Sequence, residues 1–365
     1  MKRKIRVGIL FGGKSAEHEV SIQSARNIVE AINKEKYEIV LIGIDKKGRW
    51  HLKGTSELFL PSESSSLARL NREDKNVALV PGKKGGELVN LSNGKPTRVI
   101  DIVFPVLHGP YGEDGTVQGL LKLANIPYVG ADVLGSAVGM DKDVMKRLLR
   151  EAEIPTVKFF AFDRACRERI DFDIIQEELG FPFFIKPANL GSSVGINKVK
   201  EKKGFQSALE EAFQYGNKIL VEEYIKGREI ECSVLGNDDP IASLPGEILP
   251  QDEFYSYEAK YIDERGAILE IPAKLGENLT AKIQNLSIKV FKVLCCQGMA
   301  RVDFFLKDND KIIVNELNTI PGFTKISMYP KLWEASGISY SELIDRLIQL
   351  ALERFQKEKR LKTSI

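Results

Sequence analysis

The sequence predicts an α/β chain that opens on a parallel sheet and becomes α+β in its C-terminal part. Three observations carry this. A strand, a helical run and a second strand follow one another over residues 5–44, the order that builds a parallel sheet with functional loops at the strand C-termini. Residues 299–318 read as a strand, a charged turn and a strand, a β-hairpin with a connection a little long for a tight turn. The 365 residues exceed one typical domain, so two or three are expected.

Hydrophobic residues make up 43% and charged residues 28%, an ordinary globular balance. A formal net charge of +2 argues against general binding of polyanions, and no nucleic-acid partner is expected. No apolar run approaches the roughly 18 residues a membrane helix needs, so no membrane partner is expected either. The basic, then apolar, N-terminus reads as a first strand and not a secretory signal, because Gly12-Gly13-Lys14 follows without a small-residue cleavage site. Cys166, Cys232, Cys295 and Cys296 have no C-x-x-C spacing, and His18, His51 and His108 form no cluster in sequence. Incidental thiols in a reducing, cytoplasmic compartment are the expectation.

In chain order, the strand over 5–11 ends in Gly12-Gly13-Lys14-Ser15, a turn suited to an anion or substrate at a helix start. The Walker A spacing is absent. A helix over 20–33 follows, with Glu17 at its entrance, where a carboxylate suits the helix N-terminus as well as a ligand. Residues 37–44 form the second strand. Residues 53–96, Ser-rich at 62–66 and Gly/Lys-rich at 82–86, read as a peripheral excursion with short strands. A strand over 100–107 leads into His108-Gly109-Pro110-Tyr111-Gly112-Glu113-Asp114-Gly115-Thr116, the composition of a functional loop. A helix over 117–124 and a short strand over 126–129 close the first domain near residue 138.

The helix over 141–152 carries Lys142, Lys146, Arg147 and Arg150, a basic face that reads as solvated. Strands are expected over 155–162, 183–187, 218–223 and 227–235, and helices over 173–179 and 205–215. Lys186 lies inside an apolar strand and must find an anion or snorkel. Gly191-Ser192-Ser193-Val194-Gly195 behind it is a hydroxyl-rich loop able to cover phosphates. Residues 250–270, dense in aromatic and acidic side chains without a period, read as a lid loop. A helix over 279–296 leads into the hairpin. Residues 321–330 read as a loop, 341–354 as a core helix, and the basic tail from Gln356 as frayed. In the hairpin, alternation puts Arg301 and Asp303 on one face of the first strand and Glu316 and Asn318 on one face of the second. If the strands pair with those faces shared, a cation and three oxygen ligands converge, as a Mg²⁺ site beside phosphates requires. An ordinary solvated face fits the same residues.

Taken together, the motifs resemble the D-alanine–D-alanine ligase family of the ATP-grasp superfamily. They are Gly12-Gly13-Lys14-Ser15-Ala16-Glu17-His18-Glu19-Val20-Ser21, the loop from His108 to Gly115, Met140-Asp141-Lys142, Lys186-Pro187 with the 191–195 loop, Glu258-Ala259-Lys260-Tyr261, Arg301-Val302-Asp303, and Asn315-Glu316-Leu317-Asn318-Thr319 through Pro321-Gly322. The resemblance runs over about 4–352 and departs in the 53–96 excursion and the tail.

The resemblance implies a three-domain ATP-grasp architecture: an N-terminal parallel-sheet, substrate-binding domain (1–138), a central subdomain (139–219) and a C-terminal catalytic domain (220–365). It implies ATP-dependent ligation of two D-alanine molecules through an acylphosphate, for peptidoglycan precursors. ATP would lie between the central and C-terminal domains, with two Mg²⁺ ions, replaceable by Mn²⁺, on Asp303, Glu316 and Asn318. Lys142, Lys186 and Lys260 would neutralise the triphosphate, under the cover of Ser192 and Ser193. Glu222 and Glu229 match the adenine-edge and ribose contacts. Glu223 stands where many ligases carry Lys, and Phe305 is a candidate to pack on adenine. Glu17 would take the first D-alanine's ammonium, held by Ser192 and Tyr261, with His108 near that substrate's carboxylate. Arg301 and the Gly322 amide would face the developing oxyanion, and Ser327 with the Met328 backbone would receive the second carboxylate. A homodimer is implied by resemblance alone. Two rival readings are a ligase making D-alanyl-D-lactate or D-alanyl-D-serine, against the first of which Tyr261 speaks, and a catalytically silent nucleotide-binding scaffold.

Overall fold

The computed structural model describes residues 3–54, 75–81, 86–191, 194–250, 267–308 and 310–362. Ser192, Ser193, Lys260 and Tyr261 lie outside them, as does the 251–266 part of the expected lid. The described residues form three sheets.

In the first, β1 (Ile5–Gly12) pairs in parallel with β2 (Tyr37–Ile44) on one side and β7 (Ile102–Val106) on the other. α1 (His18–Ala31) links β1 to β2. The side chains of β1 alternate between two cores, as a strand covered on both faces must. Val7, Ile9 and Phe11 meet α1, while Leu10 joins Val40, Ile42 and α2 (Thr116–Leu123) on the opposite face. The described part of the 53–96 excursion is built into this sheet: β3 (Trp50–Lys53), β4 (Lys75–Leu79), β5 (Glu87–Asn90) and β6 (Pro96–Val99) extend it beyond β2 as antiparallel strands. The strand expected over 126–129 reduces to an isolated parallel bridge between Val103 and Tyr128. Pro127 has no N–H to give the ladder.

α3 (Val133–Met140) and α4 (Lys142–Glu151) lead to the second sheet. α3 is not apparent in the sequence because it is apolar on nearly all sides and shows no amphipathic period. Asp141 caps α4, accepting from the Asp143 and Val144 amides at 3.1 Å each. The second sheet is antiparallel, in the order β10 (Asn197–Val199), β9 (Phe183–Pro187), β11 (Lys218–Glu223), β8 (Phe159–Asp163), backed by α5 (Phe172–Leu179) and α6 (Phe205–Tyr215). β11 spans the expected 219/220 boundary and pairs wholly within this sheet.

The third sheet carries β12 (Arg228–Gly236), β13 (Ile241–Ala242), β14 (Gly246–Pro250), β15 (Ala267–Glu270), β16 (Gly298–Lys307) and β17 (Lys311–Asn318), all antiparallel. Residues 267–270 of the expected lid are thus a strand. Ile230, Cys232, Val302, Phe304 and Leu317 face a core shared with α4 and α7 (Glu277–Val293). Period-2 alternation sends Glu231, Arg301, Asp303, Glu316 and Asn318 to the other side.

Residues 321–327 are the loop expected there, but α8 (Met328–Ala335) takes its last three residues. Pro330 hides it in the sequence, yet it falls in the first turn, where its missing N–H costs nothing. α9 (Tyr340–Glu358) runs past Gln356, so the tail is not frayed there. Its Leu343, Ile344, Leu347, Ile348 and Ala351 join the core of β1, β7 and α1. Arg354 is buried, donates to Gly130 O at 2.5 Å and Tyr128 O at 2.8 Å, and lies 4.6 Å over the Tyr128 ring. Arg354→Ala strips the donors from two buried carbonyls. It should cost about 2–4 kcal/mol, read by urea unfolding with Trp333, buried in the same core, as the reporter.

Candidate functional site

The hairpin pairs with the register that brings its polar faces together. Arg301 lies opposite Asn318 and Asp303 opposite Glu316, with a bulge after Asp303. The Arg301 guanidinium forks onto both Asp303 oxygens at 2.7 Å, and its Nε is also 2.8 Å from Glu231 Oε2 on β12. Asn318 Nδ2 donates to Asp303 Oδ2 at 2.9 Å. Lys142 Nζ reaches Glu316 Oε2 at 3.4 Å and donates to Leu190 O at 2.7 Å, which ties the head of α4 to the 191–195 loop.

A second cluster lies between the second and third sheets. Lys186 does find its anion: Nζ is 2.7 Å from Glu222 Oε2. On the other side of that carboxylate, Lys146 Nζ stands 3.4 Å from Glu222 Oε1 and donates to Asn315 O at 2.8 Å. The basic face of α4 is therefore split. Arg147 and Arg150 are exposed, whereas Lys142 and Lys146 are buried, Lys146 at 0% exposure. Burial, with the Lys186 charge adding to it, pushes the Lys146 ammonium down to about 8. Burial alone would raise the Glu222 carboxyl, but Lys146 and Lys186 outweigh it and hold it below the ordinary range.

Glu223 does not turn toward this cluster. Its Oε1 accepts from the Lys158 amide at 2.7 Å, fixing the edge of β8. Glu229 and Phe305 face one another across β12 and β16, both half-buried.

The third group gathers around β7. Glu17, 6% exposed, stands at the head of α1 between two loops. A Cβ on Gly109 would come 2.8 Å from its Oε2, and one on Gly191 3.6 Å. Gly109 also has a φ of +77°, so any other residue there is strained as well as obstructive. His108 is buried and its pKa is lowered, by burial against the opposing charge of Glu17. It pairs through Nδ1 with Ile320 O at 3.1 Å and through Nε2 with Ser24 Oγ at 3.4 Å. A neutral ring protonated at Nδ1 satisfies both contacts, because the Ile320 carbonyl can only accept. Ser24 Oγ in turn accepts from the Phe323 amide at 3.2 Å. Gly322 lies in this stretch, where a Cβ would meet Ser327 Oγ at 2.7 Å. Ser327 Oγ accepts from the Thr324 amide at 2.9 Å. Met328 opens α8 with its side chain packed on Ile248 and Leu332, leaving its backbone at the helix N-terminus.

Two residues go beyond the sequence reading. One is Lys146. The other is Glu113, which bridges two loops: Oε2 accepts from the Gly109 amide at 2.7 Å and Oε1 from the Ile320 amide at 3.2 Å. Its place among glycines was the available signal, as was the four-residue spacing of Lys142 and Lys146 on one helix face. Burial and the nearby Glu17 charge push Glu113 up to about 8. Because this is above the ordinary 4.5, the folded chain keeps a proton that the unfolded chain releases. The contribution to stability is complete below the unfolded value and is lost as pH rises through about 8. Glu113→Gln, which cannot ionise, should flatten the decline in unfolding free energy over that window. An unchanged slope in urea titrations across it would exclude this origin.

The comparisons cover nearly the whole chain. Residues 6–131 match the model for the D-ala D-ala ligase N-terminus and residues 148–349 that for the D-ala D-ala ligase C-terminus. A D-alanine–D-alanine ligase from Shouchella clausii is 57% identical over 362 residues, 99% of this chain and 98% of that protein. Among solved structures, the D-alanine-D-alanine ligase from Coxiella burnetii superposes with a TM-score of 0.87 at 43% identity, over 98% of this chain and 96% of that one. The VanG D-Ala:D-Ser ligase from Enterococcus faecalis follows with a TM-score of 0.85 at 36% identity, over 96% and 100%. The three-sheet arrangement is the expected ATP-grasp architecture behind a parallel-sheet N-terminal part. With both family models matched in order and more than half of all positions shared with a full-length ligase, the chain belongs to the D-alanine–D-alanine ligase family.

Proposed function

We propose that this chain joins two D-alanine molecules into D-alanyl-D-alanine at the expense of ATP, as a step in making peptidoglycan precursors. The observation that carries the reading is the convergence of Arg301, Asp303, Glu316 and Asn318 on one face of the third sheet, next to the buried lysines. Phosphoryl transfer to a carboxylate requires charge neutralisation and positioning above all.

Each group has a task within this reading. Lys142 and Lys186 face the triphosphate, and Glu222 and Glu229 face adenine and ribose. Arg301 is held from two sides by Asp303 and Glu231, so its charge needs no reorganisation when an oxyanion develops. The Gly322 amide stands with it. Glu17 receives the first D-alanine's ammonium, and His108 stands near its carboxylate as a neutral donor–acceptor bracing the 320–323 segment. Ser327 and the backbone at the head of α8 receive the second carboxylate.

Asp303, Glu316 and Asn318 fit Mg²⁺, a hard ion that one or two carboxylates hold together with phosphate oxygens. No larger set of His, Cys, Asp or Glu able to hold a metal occurs among the described residues. An ion held by these three residues would supply positive charge to neutralise the phosphates, as Mn²⁺ would in its place.

ATP-dependent phosphate release tests the reading with D-alanine, D-serine, D-lactate or no acceptor. Turnover is expected with D-alanine. Absence of turnover with every acceptor refutes the ligase and favours a silent scaffold, and a preference for D-lactate or D-serine refutes the dipeptide product. Glu316→Gln should lower kcat by roughly 10²-fold or more, the scale of a lost contact to transition-state charge, with the circular dichroism unchanged. Wild-type kcat in that variant would remove Glu316 from the metal site.

A further inference from the structure

We propose that Lys146 is a positioning residue for base recognition: it anchors Glu222 between the second and third sheets so that Glu222 Oε1 accepts from the amino group of a 6-aminopurine. The inference deepens the ATP-dependent reading and rests on it.

Lys146 is fully buried on α4, and burying an ammonium costs several kcal/mol unless partners compensate. Its partners come from both sides of the cleft: Glu222 on β11 at 3.4 Å and the Asn315 carbonyl on β17 at 2.8 Å. The ammonium therefore spans the two sheets that flank the proposed nucleotide.

The two Glu222 oxygens are not equivalent. Oε2 is held by Lys186 at 2.7 Å. Oε1 is buried and has no hydrogen-bond partner among the described residues, since Lys146 approaches it only as an ion-pair contact. A buried acceptor left in that condition is costly, and a ligand donor removes the cost. With an ammonium on each side, the carboxylate stays ionised and can only accept. It therefore suits the amino group of adenine and rejects a 6-oxo base, which presents an acceptor there. A pocket built to hydrogen-bond one group discriminates strongly against its absence. Lys146 supplies the second cation and fixes the carboxylate's orientation, without itself touching the base.

Lys146→Met removes the charge at similar volume. Displacement of a fluorescent ATP analogue by ATP and by inosine triphosphate reads binding independently of turnover, so it still tests the proposal if ligase activity is absent. The wild-type chain should bind ATP at least about 30-fold more tightly than inosine triphosphate. In Lys146→Met the ratio should fall toward one through weaker ATP binding, and KM for D-alanine should stay within about threefold. Should Lys146→Met fail to fold, Lys146→Gln, whose amide can still donate to Asn315 O, reads the same ratio. A folded variant that keeps the wild-type ratio overturns the proposal, as does a wild-type chain that binds the two nucleotides equally.

Discussion

The peptide groups of Ile320 and Phe323 are held by side chains from α1 and from the loop after β7. Glu113 takes the Ile320 amide, His108 the Ile320 carbonyl, Ser24 the Phe323 amide and Asn27 the Phe323 carbonyl. These bonds cross more than 200 residues of sequence. The stretch they fix contains Gly322 and lies directly between the hairpin and α8. The same bonds tie the face with Arg301 and Asp303 directly to the loop with Glu17, in addition to the apolar core that joins β1 and β7 to Leu235, Met299 and α9. With them, both sides of the proposed reaction share one backbone frame, as positioned chemistry requires.

Charge burial follows the same logic across the site. Each cation is matched before any ligand is considered: Arg301 by Asp303 and Glu231, Lys142 by Glu316, Lys186 and Lys146 by Glu222. Such pairs contribute little net stability, because desolvation consumes most of the attraction. Their value is geometric. They aim charges at one cleft in a medium where each interacts more strongly than it would in water.

The hairpin was legible in the sequence because strand alternation is a rigid rule: once 301 and 303 share a face, only the register remains open. β2, β9, β11 and α6 match the expected ranges, since each is an apolar run bounded by turn residues or an amphipathic period. α3 and α8 were not legible. The first is apolar all round, and the second carries a proline in its first turn. Lys146 was misread for a physical reason: a lysine on a helix reads as solvated unless its partners are known, and these come from strands about 75 and 170 residues away. Glu113 was masked by its own loop, where glycines suggested function without saying which carboxylate would bind backbone amides.

The packing of α9 has a consequence for how the chain reaches this structure. Leu343, Leu347 and Ala351 cover β1 and β7, both from the first third of the sequence. During synthesis from the N-terminus, α1 can cover part of that apolar surface early, but the part under α9 has no partner until residues 340–358 have been made. Local contacts can form the second sheet early, but the first core closes through contacts of very high sequence separation, which are the slow ones. Until then a hydrophobic sheet face is exposed to its neighbours on the polysome, the condition under which nascent chains depend on chaperones.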